Sequence, residues 1–224
     1  MNDDFFLDTY DSGVGSTIVF THGWTDNRNA WDGVITNLND HARCIAWSIR
    51  GHGESFAPPP GQYTRDHTLS DLKVITQRSK EKVILAGHSL GGYLSLAHSL
   101  LYPEDVEALI LVGAGPGFRK KESIDQWNSS VIESAKKLDL PEGSEATALH
   151  TDAWVIDSLS EIKVPTLVIV GEHDKRFKDS MSVFEKYLNV KSSVVVEDAG
   201  HSVHRKRPLE VANAIKDFLG EISQ

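Results

Sequence analysis

Cysteine, methionine and positive charge are all scarce in this chain. Its 224 residues include one cysteine and two methionines, and 23 Lys and Arg stand against 32 Asp and Glu. One cysteine, Cys44, excludes an internal disulfide; in its apolar, strand-like setting it reads as a small core residue. The formal net charge of −9 argues against a nucleic-acid or anionic-membrane surface, which needs a basic patch to meet phosphate. The run His204-Arg205-Lys206-Arg207 reads as a solvated turn before a helix. No apolar run approaches membrane-spanning length. The acidic start, Met1-Asn2-Asp3-Asp4, has neither the basic region nor the long apolar region of a signal peptide. Low-complexity tracts and internal repeats are absent too. The expectation is a soluble, cytoplasmic protein, monomer or homodimer, whose partner is a small molecule and not nucleic acid or membrane.

What is present is a regular alternation. At 40% hydrophobic residues the chain can bury one substantial core. Strands are expected at Phe5–Tyr10, Thr17–Phe20, Arg43–Ile49, Lys82–Leu85, Val106–Val112, Val164–Val170 and Ser193–Val196. Helices are expected at Asn27–Leu38, Thr68–Arg78, the stretch after Gly92 to Leu101, Ser180–Leu188 and Pro208–Leu219, the last with proline near its start. From Phe118 to about Glu161 the pattern weakens into polar, helical character, broken at Pro141-Glu142-Gly143. The reading is a single α/β domain over 1–224, a mostly parallel doubly wound sheet with helices on both faces. In such sheets function gathers at the carboxyl ends of strands. The clusters at 21–24, 50–55, 87–92, 171–174 and 198–201 all fall there.

One cluster organises the others. Gly87-His88-Ser89-Leu90-Gly91 is a G-x-S-x-G between an apolar strand and an amphipathic helix, the context a nucleophile elbow requires. Glycines spare the side chains that a sharp strand-to-helix turn would crowd, and Ser89 projects at the tip. The Leu90 amide lies at the helix N-terminus, unpaired and at the positive end of the dipole, where an oxyanion is stabilised. A second donor is expected from the loop after an early strand, at Trp24.

A serine hydroxyl needs a base, and the base needs a group to orient it. After an elbow serine the expected order is acid, then histidine. Asp174 follows the strand that ends at Val170, and His201 follows the last strand. Glu172 and Asp198 are worse placed as the acid. His204 is the decoy for His201; the two could be read as a metal pair, but no third ligand stands out, so neither metal nor cofactor is expected. His22 is expected to tie down its loop, while His41, His67, His98 and His150 read as ordinary surface or boundary residues.

The segments His22-Gly23-Trp24, Gly51-His52-Gly53-Glu54-Ser55, Gly87 to Gly92, Pro165 to Asp174 and Ala199-Gly200-His201 resemble the α/β-hydrolases, in that family's order and across nearly the whole chain. The resemblance implies a Ser–Asp–His triad; with serine at the elbow it sets aside the branches whose elbow carries a carboxylate. It also implies a helical cap after the strand ending near Val112. Here residues 116–160 must supply it, so a reduced cap over an open pocket is expected, with short-chain or small esters as substrates. Candidates to contact substrate are His88, Tyr93, Trp127 and Trp154. An alternative comes from Asp174-Lys175-Arg176-Phe177 and Gly200 to His204, which are similar to the menaquinone-pathway synthase that eliminates pyruvate with its triad as base. That family carries Arg where this chain has Tyr93, and its larger cap supplies further basic residues, for which only Arg119, Lys120 and Lys121 offer themselves here. A non-catalytic binding member and a perhydrolase are the remaining readings.

Overall fold

A computed structural model describes residues 5–223; the acidic start Met1–Asp4 lies outside them. Among the described residues seven strands form one sheet in the order β1-β3-β2-β4-β5-β6-β7. Their ranges are β1 Thr9–Ser12, β2 Thr17–Thr21, β3 Arg43–Trp47, β4 Val83–His88, β5 Val106–Val112, β6 Pro165–Gly171 and β7 Asn189–Val196. All neighbours pair parallel except β1, which runs antiparallel to β3 at the edge. The helices are α1 Asp32–Thr36, α2 Arg65–Thr76, α3 Leu90–Leu101, α4 Lys121–Ala135, α5 Trp154–Ser158, α6 Ser180–Tyr187, α7 Val203–Lys206 and α8 Pro208–Ile222.

The central strands are apolar on both faces because both are covered. Side chains alternate across a strand, and this splits the core in two. Val19, Ile45, Leu85, Leu109, Leu111 and Val168 join the layer beneath α2 and α3. Ile18, Phe20, Ile84, Ala86, Ile110 and Ile169 join the layer beneath α1 and α8. Cys44 is a fully buried member of the second layer, and burial pushes its thiol up to about 12, so it stays protonated and inert.

Several boundaries differ from the sequence expectation, each for a local reason. The first strand is Thr9–Ser12 and not Phe5–Tyr10, because Thr9 pairs with Trp47, the last residue of β3, and upstream of it no strand remains to pair. Phe5 and Phe6 stay more than half exposed, with Phe5 against Phe56. The helix expected over Asn27–Leu38 is a 3-10 turn, Arg28–Trp31, capped by Asn27, followed by the short α1. Helix α2 starts three residues early because the Thr64 hydroxyl accepts from the His67 amide. The basic run 204–207 is no solvated turn: His204 lies on α7 and is fully buried, while Arg205 and Lys206 are exposed. Between β5 and β6 the chain forms α4, a 3-10 turn at Ser144–Ala148 and α5. No helix among the described residues is long and apolar enough to cross a membrane.

Candidate active site

Ser89 sits between β4 and α3 with φ 51° and ψ −112°, a conformation costly for a residue with a side chain. The neighbouring glycines are demanded by contact. A Cβ on Gly87 would lie 2.3 Å from the Gly91 carbonyl and the Gly92 nitrogen, and one on Gly91 would lie 2.2 Å from the Thr21 carbonyl oxygen. The turn therefore closes only with glycine at both places, and α3 can start directly against β2 and β4. The Ser89 amide donates to the Val112 carbonyl at 3.0 Å, tying the turn to β5.

The loop after β2 lies against this turn. A Cβ on Gly23 would come 3.4 Å from Ser89 Cβ and 2.7 Å from His88 Nδ1. His22 holds the loop: its Nδ1–H donates to the Gly23 carbonyl at 2.7 Å, and its Nε2 accepts from the Ile49 amide at 2.9 Å. Burial, then the neighbouring His52, lowers the His22 pKa to about 3, so the ring is a neutral strut. Trp24 and Leu90 both line the cavity that contains Ser89.

Asp174 and His201 come from the loops after β6 and β7, adjacent parallel strands. Those loops touch: the His173 amide donates to the Ala199 carbonyl, and a Cβ on Gly171 would strike the Gly200 carbonyl oxygen at 2.3 Å. His201 Nδ1 donates to Asp174 Oδ2 at 2.9 Å, and Asp174 Oδ1 accepts from the Arg176 and Phe177 amides at 3.1 and 3.2 Å. Burial alone would raise the Asp174 pKa; the His201 hydrogen bond and charge, with the two amides, outweigh it and hold the carboxyl below its usual range. The Phe177 ring stacks on His201, with centroids 5.0 Å apart. An imidazole held in this way through Nδ1 has Nε2 free to take a proton from a neighbour. Glu172 is exposed and accepts from the Asp198 amide, away from His201.

Gly113, at the end of β5 with φ +51°, is packed against the pair: a Cβ there would lie 3.2 Å from Asp174 Oδ2 and 3.4 Å from His201 Nδ1. Gly113→Ala is expected to lower kcat by about 10-fold or more through misplacement of the ring. Steady-state kinetics beside a melting curve checks this; a wild-type kcat in the variant contradicts it.

Ser89 and His201 line one cavity of about 840 Å³, roofed by residues of α4. Of the predicted contact residues, His88, Tyr93 and Trp127 line it, and Trp154 does not. Trp154 packs instead on the core beneath α5, with the Arg65 guanidinium 5.2 Å from its ring centroid. His88 has a further task, because its Nε2–H donates to the His201 carbonyl at 3.0 Å and so anchors the backbone of His201. Burial and the facing His201 lower its pKa to about 3. His98 and His150 are not surface residues. His98 is fully buried, and His150 lines the cavity at 8% exposure. No pattern in the chain announces His150, since its position depends on how the segment between β5 and β6 folds back. Arg119 is drawn off to Asp157 at 2.6 Å; the cations at the cavity are Arg176 and Arg205, the latter held by Asp26. The metal-ligating residues that converge among the described ones, Glu172, His173 and Asp198, are all exposed.

The sheet, the strained serine turn and the acid–histidine pair at neighbouring strand ends define one class of protein. Residues 16–137 match the alpha/beta hydrolase fold, and the chain belongs to that family. Along 93% of its length it is similar, at 26% identity, to 92% of a putative 2-succinyl-6-hydroxy-2,4-cyclohexadiene-1-carboxylate synthase from Bacillus subtilis. It is also 26% identical, over 96% of its length, to a part of the chloroplastic protein PHYLLO of Arabidopsis thaliana, of which it spans only 16%. Among solved structures, a malate-bound thermophilic esterase from Thermogutta terrifontis superposes with a TM-score of 0.82 at 25% identity, covering 97% of this chain and 94% of that one.

Proposed function

We propose that the protein is a serine hydrolase of small carboxylic esters. Ser89 attacks the ester carbonyl, and His201 takes its proton and returns it to the leaving alcohol. Asp174 holds the imidazole tautomer and balances the imidazolium charge. The Trp24 and Leu90 amides receive the oxyanion. Water then hydrolyses the acyl-enzyme by the same route. The observation that carries this reading is the convergence of four separate loops: the strained Ser89 turn, the Gly23–Trp24 loop packed on it, and the two loops that supply a His201–Asp174 pair bonded at 2.9 Å, with Ser89, Trp24 and His201 lining one cavity. A cytoplasmic location and a small-molecule partner belong to the same proposal, the latter supported by the cavity's size.

The test is hydrolysis of p-nitrophenyl esters from acetate to decanoate by wild type and Ser89→Ala. Serine-dependent turnover favouring the short members supports the proposal. The similarity to the Bacillus subtilis synthase favours a second reading, pyruvate elimination with the triad as base. Tyr93, in the place where that synthase family has Arg, weakens it: its hydroxyl accepts from Arg65 at 3.1 Å and it brings no charge to the cavity. Pyruvate release from the cyclohexadiene substrate, with no ester turnover, would favour the elimination.

A further inference from the structure

Under the esterase reading the open question is what the far wall of the cavity recognises. His150 stands there among aromatic rings: Tyr93, Phe118 and Trp127 lie edge-on to it, with centroids 4.5, 5.2 and 5.8 Å away. Its mount is rigid. Asn128 on α4 brackets the residue, donating from Nδ2 to the His150 carbonyl at 2.8 Å and accepting the His150 amide on Oδ1 at 2.9 Å. Arg65 fixes the neighbouring Tyr93 through its hydroxyl and grips Asp152, two residues on, with two hydrogen bonds. The Nδ1 of His150 is sealed without a partner, on the side where a Cβ on Gly117 would lie 3.3 Å away. Nε2 is not sealed in this way, and the residue lines the cavity.

A phenylalanine would complete this aromatic wall with no polar atom to satisfy. An imidazole instead brings two polar nitrogens: Nδ1 is sealed unpartnered, and Nε2 is satisfied only when a ligand oxygen or a water meets it. The α4 face over the same cavity is polar as well, with Ser123, Gln126, Ser130 and Ser134 at one-face spacing. Burial, then the charge of Arg65 against that of Asp152, lowers the His150 pKa to about 4, so the ring is neutral and suits a neutral partner. The cavity of about 840 Å³ is larger than a short acyl chain fills.

We propose that His150 is a specificity residue: its Nε2 hydrogen-bonds a hydroxyl or oxo oxygen on the substrate, so that the preferred esters carry such an oxygen away from the scissile carbonyl. The inference rests on the esterase reading. Its test compares matched pairs on both sides of the ester bond: p-nitrophenyl butyrate against its α-hydroxy and β-hydroxy analogues, and ethyl butyrate against ethylene glycol monobutyrate. The wild type is expected to favour at least one hydroxylated ester over its parent by about 10-fold or more in kcat/KM, since a site built to bond an oxygen rejects the analogue lacking it. His150→Leu is expected to bring that ratio close to one, and His150→Gln, whose amide can reach the place of Nε2, to restore part of it. Serine-dependent hydrolysis of every ester with wild-type ratios near one would overturn the inference and leave the esterase reading standing, with no variant needed. A preference that survives in a folded His150→Leu protein would overturn it too. Hydrolysis of no ester at all would remove both.

Discussion

Ser89→Ala is expected to reduce ester turnover by about 10⁴-fold or more, with the fold intact. The size follows from the division of labour. On the proposed mechanism no acyl-enzyme forms without the hydroxyl, and what would remain is the help of the Trp24 and Leu90 amides to attack by water. His201→Ala is expected to fall to nearly the same floor, and the double variant to fall no further, because a nucleophile and its base act as one unit. The fold survives because alanine accepts the φ of 51° no worse than serine, and the Ser89 hydrogen bond to β5 is made by its backbone amide. Steady-state kinetics of the three proteins beside their melting temperatures reads all of this. Ser89→Ala keeping one part in a hundred of wild-type turnover would remove the serine from its role. A double variant much slower than either single one would mean that the two residues act in separate steps.

A cooperative loss of the fold on mild acidification, centred near pH 5, is the second large effect expected. Burial keeps several histidines neutral: the pKa is lowered to about 3 for His22 and His88, to about 4 for His98 and His150, and well below 6.5 for His204. In the unfolded chain these rings titrate near 6.5, so below that pH the unfolded state binds more protons than the folded one. Stability therefore falls as pH falls, starting near 6.5 and continuing to about 4 for one pair and about 3 for the other. Each ring contributes up to about 1.4 kcal/mol per pH unit, and five together about 7 kcal/mol. A domain holds only about 5–15 kcal/mol in total, so one to two pH units suffice. Far-UV circular dichroism against pH, with fluorescence as a second probe, measures the midpoint. His204 supplies the control: its ring, with both nitrogens unpartnered, lies between Trp31 and His88 at 4.6 and 4.1 Å. His204→Phe keeps a ring there, removes one proton from the balance, and is expected to move the midpoint to lower pH. A fold unchanged at pH 4 would contradict the neutral, buried histidines.

The parallel sheet and the candidate triad were legible because their signals are local. Alternation of apolar residues announces a buried strand within a few positions, and two glycines around Ser89 announce a turn too tight for a Cβ. Asp174 and His201 could be chosen because each follows a strand, and consecutive parallel strands that lie side by side bring their carboxyl ends together. Local signals failed where partners are distant. Phe5–Tyr10 has a strand's composition, yet pairing stops at Thr9 because β3 has ended. Trp154 looked like a pocket residue by type, but Arg65, far away in the chain, engages its ring outside the cavity. His204 belongs in sequence to a basic run, and the inward side of a single helical turn buries it.

The sequence by itself thus determined the fold class, the order of the strand ends and the candidate residues at them, because short-range periodicity and glycine geometry encode them. Only the tertiary structure decided what surrounds them: the His88 bond to the His201 carbonyl, the packing of His204 between Trp31 and His88, and His150 held by Asn128 among three aromatic rings. Each of these joins residues through the packing of separate segments, and no window along the chain contains both partners.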